Sequence, residues 1–302
     1  MKKYLTYDEY LKTRFGTKVM KLPLDAGFTC PNIDGRCGFG GCTYCSKQPL
    51  RYRGLPIAAQ AEEAKRILRK KWVREGREEK YIPYFQVFSN TYAPVELLRE
   101  LYSQALAVPG VVGLSIATRA DCLPPEVVEL LFEFSEKTYL TVELGLQTVH
   151  EDTARLIHRG HSFEDFLRGY EALKGLNVCI HLINGLPGES RERMLTSAQT
   201  VASLRPHEIK LHMLYLEKGC ELTRQYEETP FPLLSLEEYC EIVVSQLEFF
   251  HPDTVVGRVT GDGSAEALVA PLWTLKKFSV LNGIDKEFER RQTWQGRRFG
   301  ES

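Results

Sequence analysis

The chain has 302 residues, 43% hydrophobic and 26% charged, with a net charge of −1. This excludes a disordered or fibrous chain and suits one large α/β domain, or one domain with a small appendage. No apolar run of about eighteen residues occurs, which excludes a membrane-spanning helix, and the balanced charge leaves any nucleic-acid binding to a local patch.

The opening MKKYLTYDEY has two lysines but no apolar stretch behind them, so no secretory signal is expected and a cytoplasmic location is. In that compartment the eight dispersed cysteines are expected as reduced thiols. A first strand is predicted at 18–23, followed by a Gly-rich loop at 30–45 and a basic segment at 65–80. Strands follow at 83–88, 111–117, 139–144, 177–183 and 208–213. Between them Leu97, Leu98, Leu101, Tyr102, Ala105 and Leu106 mark one helical stripe, and Phe163, Phe166, Leu167, Tyr170 and Leu173 another. Pro124 and Pro125 suit a helix start, and Ser162 an N-cap. About six strand–helix repeats imply parallel strands with right-handed crossovers, in a doubly wound sheet or a barrel. The notable polar residues lie just after strands, which fits a barrel with its chemistry at the C-terminal strand ends. Beyond the connector at 229–235, Leu236, Tyr239, Cys240, Val243, Leu247 and Phe250 share a helix face, and 253–264 reads as a short strand and loop. The expected division is a barrel over 1–230 and a small extension over 231–302 packed on it.

In CPNIDGRCGFGGCTYC, eleven residues separate Cys30 from Cys42 and two separate Cys42 from Cys45. Three thiolates can hold three irons of a 4Fe–4S cluster and leave the fourth open for a non-protein ligand. With Cys37 as a fourth ligand, the same run could be a zinc knuckle, although structural zinc sites usually present two close pairs. Glu143 lies on a predicted strand and, if buried, needs a cation or a polar ligand. Thr118, Arg119 and Asp121 in IATRAD offer a hydroxyl, a guanidinium and a carboxylate at a strand end, or simply a salt-bridged loop. Lys210 and His212 fall on one side of the sixth strand, facing substrate or snorkelling at the rim.

At these residues the chain resembles the radical S-adenosylmethionine (radical-SAM) superfamily, in particular its YtqA/YhcC-like group, with a cysteine gap similar to that of the Elongator catalytic subunit. The resemblance implies a partial (β/α)6 TIM-like barrel, a 4Fe–4S cluster on Cys30, Cys42 and Cys45, and S-adenosylmethionine bound at its open iron. By the same likeness Asn90 and Thr91 in SNTYAP, Thr118, and Glu143 and Gln147 in ELGLQT become candidate cofactor contacts. Asn90 and Thr91 are equally suited to be a helix N-cap. Gln147 and Arg159 are candidates for the ribose and the methionine carboxylate, and HLINGLPGES places His181, Ile183 and Gly185 at the adenine. The substrate class it implies is tRNA, with conversion of a carboxymethylaminomethyl group at C5 of the wobble uridine to aminomethyl. A reductant such as flavodoxin or ferredoxin is implied as partner. The other expectations are radical chemistry on a peptide or small metabolite, and a zinc-stabilised nucleic-acid-binding protein. For tRNA docking, Lys65, Arg66, Arg69, Lys70, Lys71 and Arg74 form the candidate patch, with Arg51, Arg53, Arg290, Arg291, Arg297 and Arg298 as further clusters; a solvated helix face is the commoner fate of such a charge run.

Overall fold

The computed structural model describes residues 2–46, 48–69, 78–261 and 263–300. Its elements run α1 Tyr7–Phe15, β1 Val19–Leu24, α2 Ile57–Arg69, β2 Lys80–Phe85, α3 Val95–Leu106, β3 Gly113–Thr118, α4 Pro125–Lys137 and β4 Tyr139–Gln147. They continue with α5 Glu151–Leu156, α6 Phe163–Ala172, β5 Asn177–Asn184, α7 Arg191–Ser203, β6 Glu208–Met213, β7 Leu216–Glu217 and α8 Glu221–Glu228. Last come α9 Leu236–Leu247, β8 Val255–Arg258, β9 Leu268–Ala270, a 3-10 turn at Leu272–Leu275 and α10 Lys277–Arg291.

Local chemistry sets several boundaries. Thr6, Ser162 and Ser235 each form a capping box, with Glu9, Asp165 and Glu238 three residues on, so α1, α6 and α9 begin where their first N–H groups find side-chain acceptors. Pro125 occupies the first turn of α4, where a missing N–H costs nothing. The second strand lies three residues earlier than the predicted 83–88, at Lys80–Phe85. Phe88 has φ of 62°, a left-handed conformation that cannot continue a strand. Asn90 and Thr91 do not cap α3, whose N-cap position is Pro94 without a side-chain bond.

Seven parallel strands form the main sheet in the order β1-β2-β3-β4-β5-β6-β8. The seventh, β8, arrives from beyond residue 231 and pairs with β6. Backbone of residues 5–6 follows β8: Val256 N–H donates to Leu5 C=O at 2.8 Å, and Thr6 bridges Val256 in parallel. β7 and β9 make a separate antiparallel pair.

Side chains show that the sheet curls. β1 and β6 stand five strand steps apart, about 24 Å in a flat sheet at about 4.8 Å per step. Yet the ammonium groups of Lys21 on β1 and Lys210 on β6 meet at one carboxylate, Glu143 on β4. The result is an open half-barrel. Strand residues alternate across it, polar inward and apolar outward. Leu22, Phe85, Ile116, Val142, Ile180 and Leu211 point to the helices, where Leu98, Phe134, Phe166, Val201 and Val243 complete the core. Burying each such side chain stabilises the fold by about 1.5–3 kcal/mol. Stability therefore resides outside the barrel wall, and the interior is left polar. Among the described residues, no helix is long and apolar enough to cross a membrane.

Candidate active site

The loop after β1 is tied at both ends by Asp25. Its side chain accepts from Gly27 N at 2.9 Å and Leu50 N at 3.1 Å, and Gln60 bonds both its backbone N–H and its C=O. A second clamp, Asn32, joins the loop to the turn after α5. Asn32 Nδ2 donates to His158 C=O at 2.5 Å and lies 3.5 Å from Cys42 Sγ. Only glycines fit around it, because a Cβ on Gly38 or Gly160 would stand 2.2 or 2.6 Å from Asn32 Oδ1. Thr43 N–H adds a bond to Ile157 C=O.

So held, Cys30, Cys42 and Cys45 are half-buried thiols on the wall of one cavity of about 420 Å³, a size usual for small-molecule sites. Cys37 is exposed and lines different grooves, with its Sγ 3.7 Å from an Arg119 nitrogen. The cavity sulfurs do not gather within 4.8 Å of one another. Four thiolates on zinc would stand about 3.8 Å apart, given a Zn–S bond of about 2.3 Å. Three accessible, wider-spaced thiols are a donor set that fits an iron–sulfur cluster.

Thr118, Gln147, Arg159 and Ile183 share this cavity with the cysteines, as do Glu143 and His181; Asn90, Thr91 and Gly185 are not on its wall. Asn90 is buried with Nδ2 donating to Ala117 C=O, while Thr91 Oγ1 lies 2.6 Å from Thr118 Oγ1 and donates to Cys122 C=O at 2.5 Å. Both brace the strand end from behind. Gly185, at φ 86°, packs toward Leu234. Gln147, with φ 65°, folds its amide back over Gly145. Arg159 is 1% exposed, and its guanidinium donates to the C=O groups of Leu146, Thr148 and His161. The fork expected to face a carboxylate is thus spent on backbone, and it fixes the 157–162 turn. Arg119 pairs bidentately with Asp121 at 2.8 and 2.7 Å and donates to Arg159 C=O at 2.7 Å.

Glu143 is the electrostatic hub. It is fully buried and accepts from Lys21 at 2.5 Å, Ser115 at 2.8 Å, Tyr84 at 2.7 Å and His181 Nε2 at 2.9 Å, and from Lys210. Burial pushes its carboxyl up, but Lys21, Lys210 and His181 together hold it well below the usual range. Burial, then Lys210, lowers His181 to about 4, and burial with its neighbour His181 depresses His212. The ring of Tyr84 lies between the two ammonium groups, 4.8 Å from Lys21 Nζ and 4.9 Å from Lys210 Nζ. Lys210 is therefore inside the barrel, not at its rim. Lys21, Tyr84 and Ser115 escaped the sequence reading, although each sits at an inward position of an alternating strand.

The basic clusters are mostly paired. Lys65 is 3% exposed, donating to Glu62 and Pro109 C=O. Arg66 pairs with Glu63 and Arg69 with Glu79, while Lys70, Lys71 and Arg74 lie outside the described residues. Arg51 also meets Glu63, Arg290 and Arg291 meet Glu287, and Arg53 donates to Gly27 and Phe28 C=O.

Residues 32–201 match the Radical SAM superfamily and residues 206–290 the Radical_SAM C-terminal domain. YtqA of Bacillus subtilis (strain 168) is 46% identical, across 99% of this chain and 93% of its own length. A tRNA uridine(34) acetyltransferase of Methanocaldococcus infernus is 32% identical over 44% of this chain, a quarter (25%) of its own length. The solved structure of Elp3 from Methanocaldococcus infernus, lacking residues 1–46, has a TM-score of 0.69 at 18% identity. It aligns with 92% of this chain, which spans 64% of that structure, and the likeness is one of fold.

Proposed function

Because the chain belongs to the radical SAM superfamily, in the group that contains YtqA, it is an enzyme of that class, and we propose that it modifies the C5 side chain of the tRNA wobble uridine, carboxymethylaminomethyl to aminomethyl. Cys30, Cys42 and Cys45 would hold a 4Fe–4S cluster, and S-adenosylmethionine would lie across the strand ends beside Thr118, Gln147 and Ile183. When bound, such a pair supplies one-electron cleavage of S-adenosylmethionine, giving a 5′-deoxyadenosyl radical that takes hydrogen from an unactivated carbon. The electron would come from a flavodoxin or ferredoxin. The chain's own residues contribute position and exclusion of water. Asn32 and Arg159 fix the two loops that flank the thiols, and the apolar shell behind the strands keeps the wall rigid.

The observation that carries the cluster is the sorting of the cysteines, three on one cavity and Cys37 on another face. Support for tRNA comes from the partial similarity to a protein named for tRNA uridine 34. A second reading, a peptide or small-metabolite substrate, draws on the pairing of Lys65, Arg66 and Arg69 with carboxylates, which neutralises the described half of the docking patch expected from sequence. Reduced, iron-loaded protein should convert S-adenosylmethionine to 5′-deoxyadenosine and methionine. Mass spectrometry of tRNA nucleosides from cells with and without the protein then decides the substrate. An unchanged wobble-uridine profile would transfer the proposal to the second reading.

A further inference from the structure

Asn32 stands closer to the thiols than a clamp between two loops requires. Its side-chain nitrogen donates to His158 C=O at 2.5 Å and lies 3.5 Å from Cys42 Sγ, within hydrogen-bond reach of an atom as large as sulfur. An amide NH2 carries two hydrogens, so both contacts are made at once. Joining the loops takes one of them and leaves the second for the sulfur. The carbonyl of His158 also fixes which end of the amide is which, because only the nitrogen can donate to it. The amide oxygen is thereby turned toward Gly38 and Gly160, where a Cβ would stand 2.2 or 2.6 Å away. Asn32 C=O accepts from Gly41 N at 2.7 Å, and the residue is 3% exposed. The N–H is held against Cys42 out of water. As a thiol, Cys42 Sγ donates toward Arg159 C=O at 4.0 Å. Once its proton gives way to iron, that carbonyl has nothing to accept, and a thiolate gains only from a donor. Tyr44, on the cavity wall, brings a hydroxyl to the same sulfur.

We propose that the Asn32 amide sets the reduction potential of the cluster by acting through Cys42. A hydrogen bond to a ligating sulfur draws electron density from it, and the reduced cluster, with one more electron, gains more from this than the oxidised one. Burial strengthens the effect, since no water competes for the sulfur or screens the amide dipole. Asn32 thus raises the potential and makes the cluster easier to reduce for a flavodoxin- or ferredoxin-type donor. It lies off the cavity wall, so it acts on electron supply and not on S-adenosylmethionine or substrate. This role rests on the cluster reading of Cys30, Cys42 and Cys45 and holds whatever the substrate is.

The test is a potentiometric titration of iron-loaded, anaerobic protein without S-adenosylmethionine, followed by the electron paramagnetic resonance of the reduced cluster. Asn32→Ala should make the cluster about three- to tenfold harder to reduce, a fall of about 28–59 mV for a one-electron couple. Gln60→Ala loosens the same loop at its Asp25 end; it should lower the thermal midpoint and leave the potential at the wild-type value. An equal potential in Asn32→Ala and wild type, or an equal fall in Gln60→Ala, overturns the role and leaves Asn32 a clamp alone. Where Asn32→Ala retains too little iron to titrate, wild-type protein carrying ¹⁵N in its asparagine side chains decides. Pulsed paramagnetic resonance of the reduced cluster should then show a ¹⁵N coupling, and its absence overturns the hydrogen bond. Wild-type protein that binds no four-iron cluster overturns the cluster reading as well, whereas a cluster with an unaltered potential overturns only the tuning.

Discussion

Replacing Glu143 by Gln keeps the shape of the side chain and removes the charge on which two buried ammonium groups converge. Lys21 and Lys210 then lose their ion-pair partner and keep the rings of Tyr7 and Tyr84, with Glu208 as a nearby carboxylate that hydrogen-bonds to neither. Removing one partner of a buried ion pair costs about 3–5 kcal/mol, chiefly from the charge left behind. At about 2–3 °C per kcal/mol for a domain of this size, the thermal midpoint should fall by about 6–15 °C. Adding Lys21→Met removes one of the stranded charges, so Glu143→Gln/Lys21→Met should melt above Glu143→Gln alone. Calorimetry without S-adenosylmethionine reads the effect, since the hub is complete without any ligand. A Glu143→Gln midpoint within about 2 °C of wild type would refute the reasoning. If cofactor affinity fell instead, Glu143 would be a ligand contact and not the barrel's counter-ion.

Alanine at Cys30, Cys42 or Cys45 should abolish iron retention after anaerobic reconstitution, while Cys37→Ala keeps it; the reverse pattern for Cys30 and Cys37 overturns the assignment. Gly160→Ala must place a Cβ 2.6 Å from Asn32 Oδ1 at φ 79°, so about 1–3 kcal/mol of stability should be lost, with weaker iron retention; a variant matching wild type in both would discredit the clamp. His161, His181 and His207 are each lowered to about 4, mainly by burial. The unfolded chain then binds more protons than the native one between about pH 6.5 and 4, and stability drains as pH falls through that window, by up to about 3 kcal/mol per histidine. Urea unfolding equally steep and equally late at pH 7.5 and 5 would count against this.

The strands were legible because their outward faces are apolar at every second residue, and β6 matches its predicted bounds of 208–213. Phe88 shows the limit: its left-handed φ is a local accommodation that no pattern of residue types announces. Glu143 declared its need for a cation. Its partners come from five other strands, and only the register of a curled sheet decides which inward residues share a level. Lys65 was readable and misread. Ile57, Ala61, Ala64 and Lys65 fall at the spacing of one buried helix face, but counting charge along the segment put it on the surface, as a docking or a solvated residue. The pairing of β8 with β6 was beyond reach, since two helices intervene and the short VVGR run carries no mark of its neighbour.

The bridge between Thr6 and Val256 sets an order of events during synthesis. These residues stand about 250 positions apart, and Gln295 ties the same corner by accepting from Leu5 N and donating to Thr254 C=O. At about 5–20 residues per second, residues 5–6 wait roughly 10–50 s on the ribosome before their neighbour emerges. Strands β1 to β6 can add one after another meanwhile, each beside the last. The wall carrying Arg258 comes after all of them, so the interior stays open along one flank until residues 255–258 have emerged. Anything that must enter from that side has its widest opening before then, and a change that delays docking of residues 5–6 prolongs it.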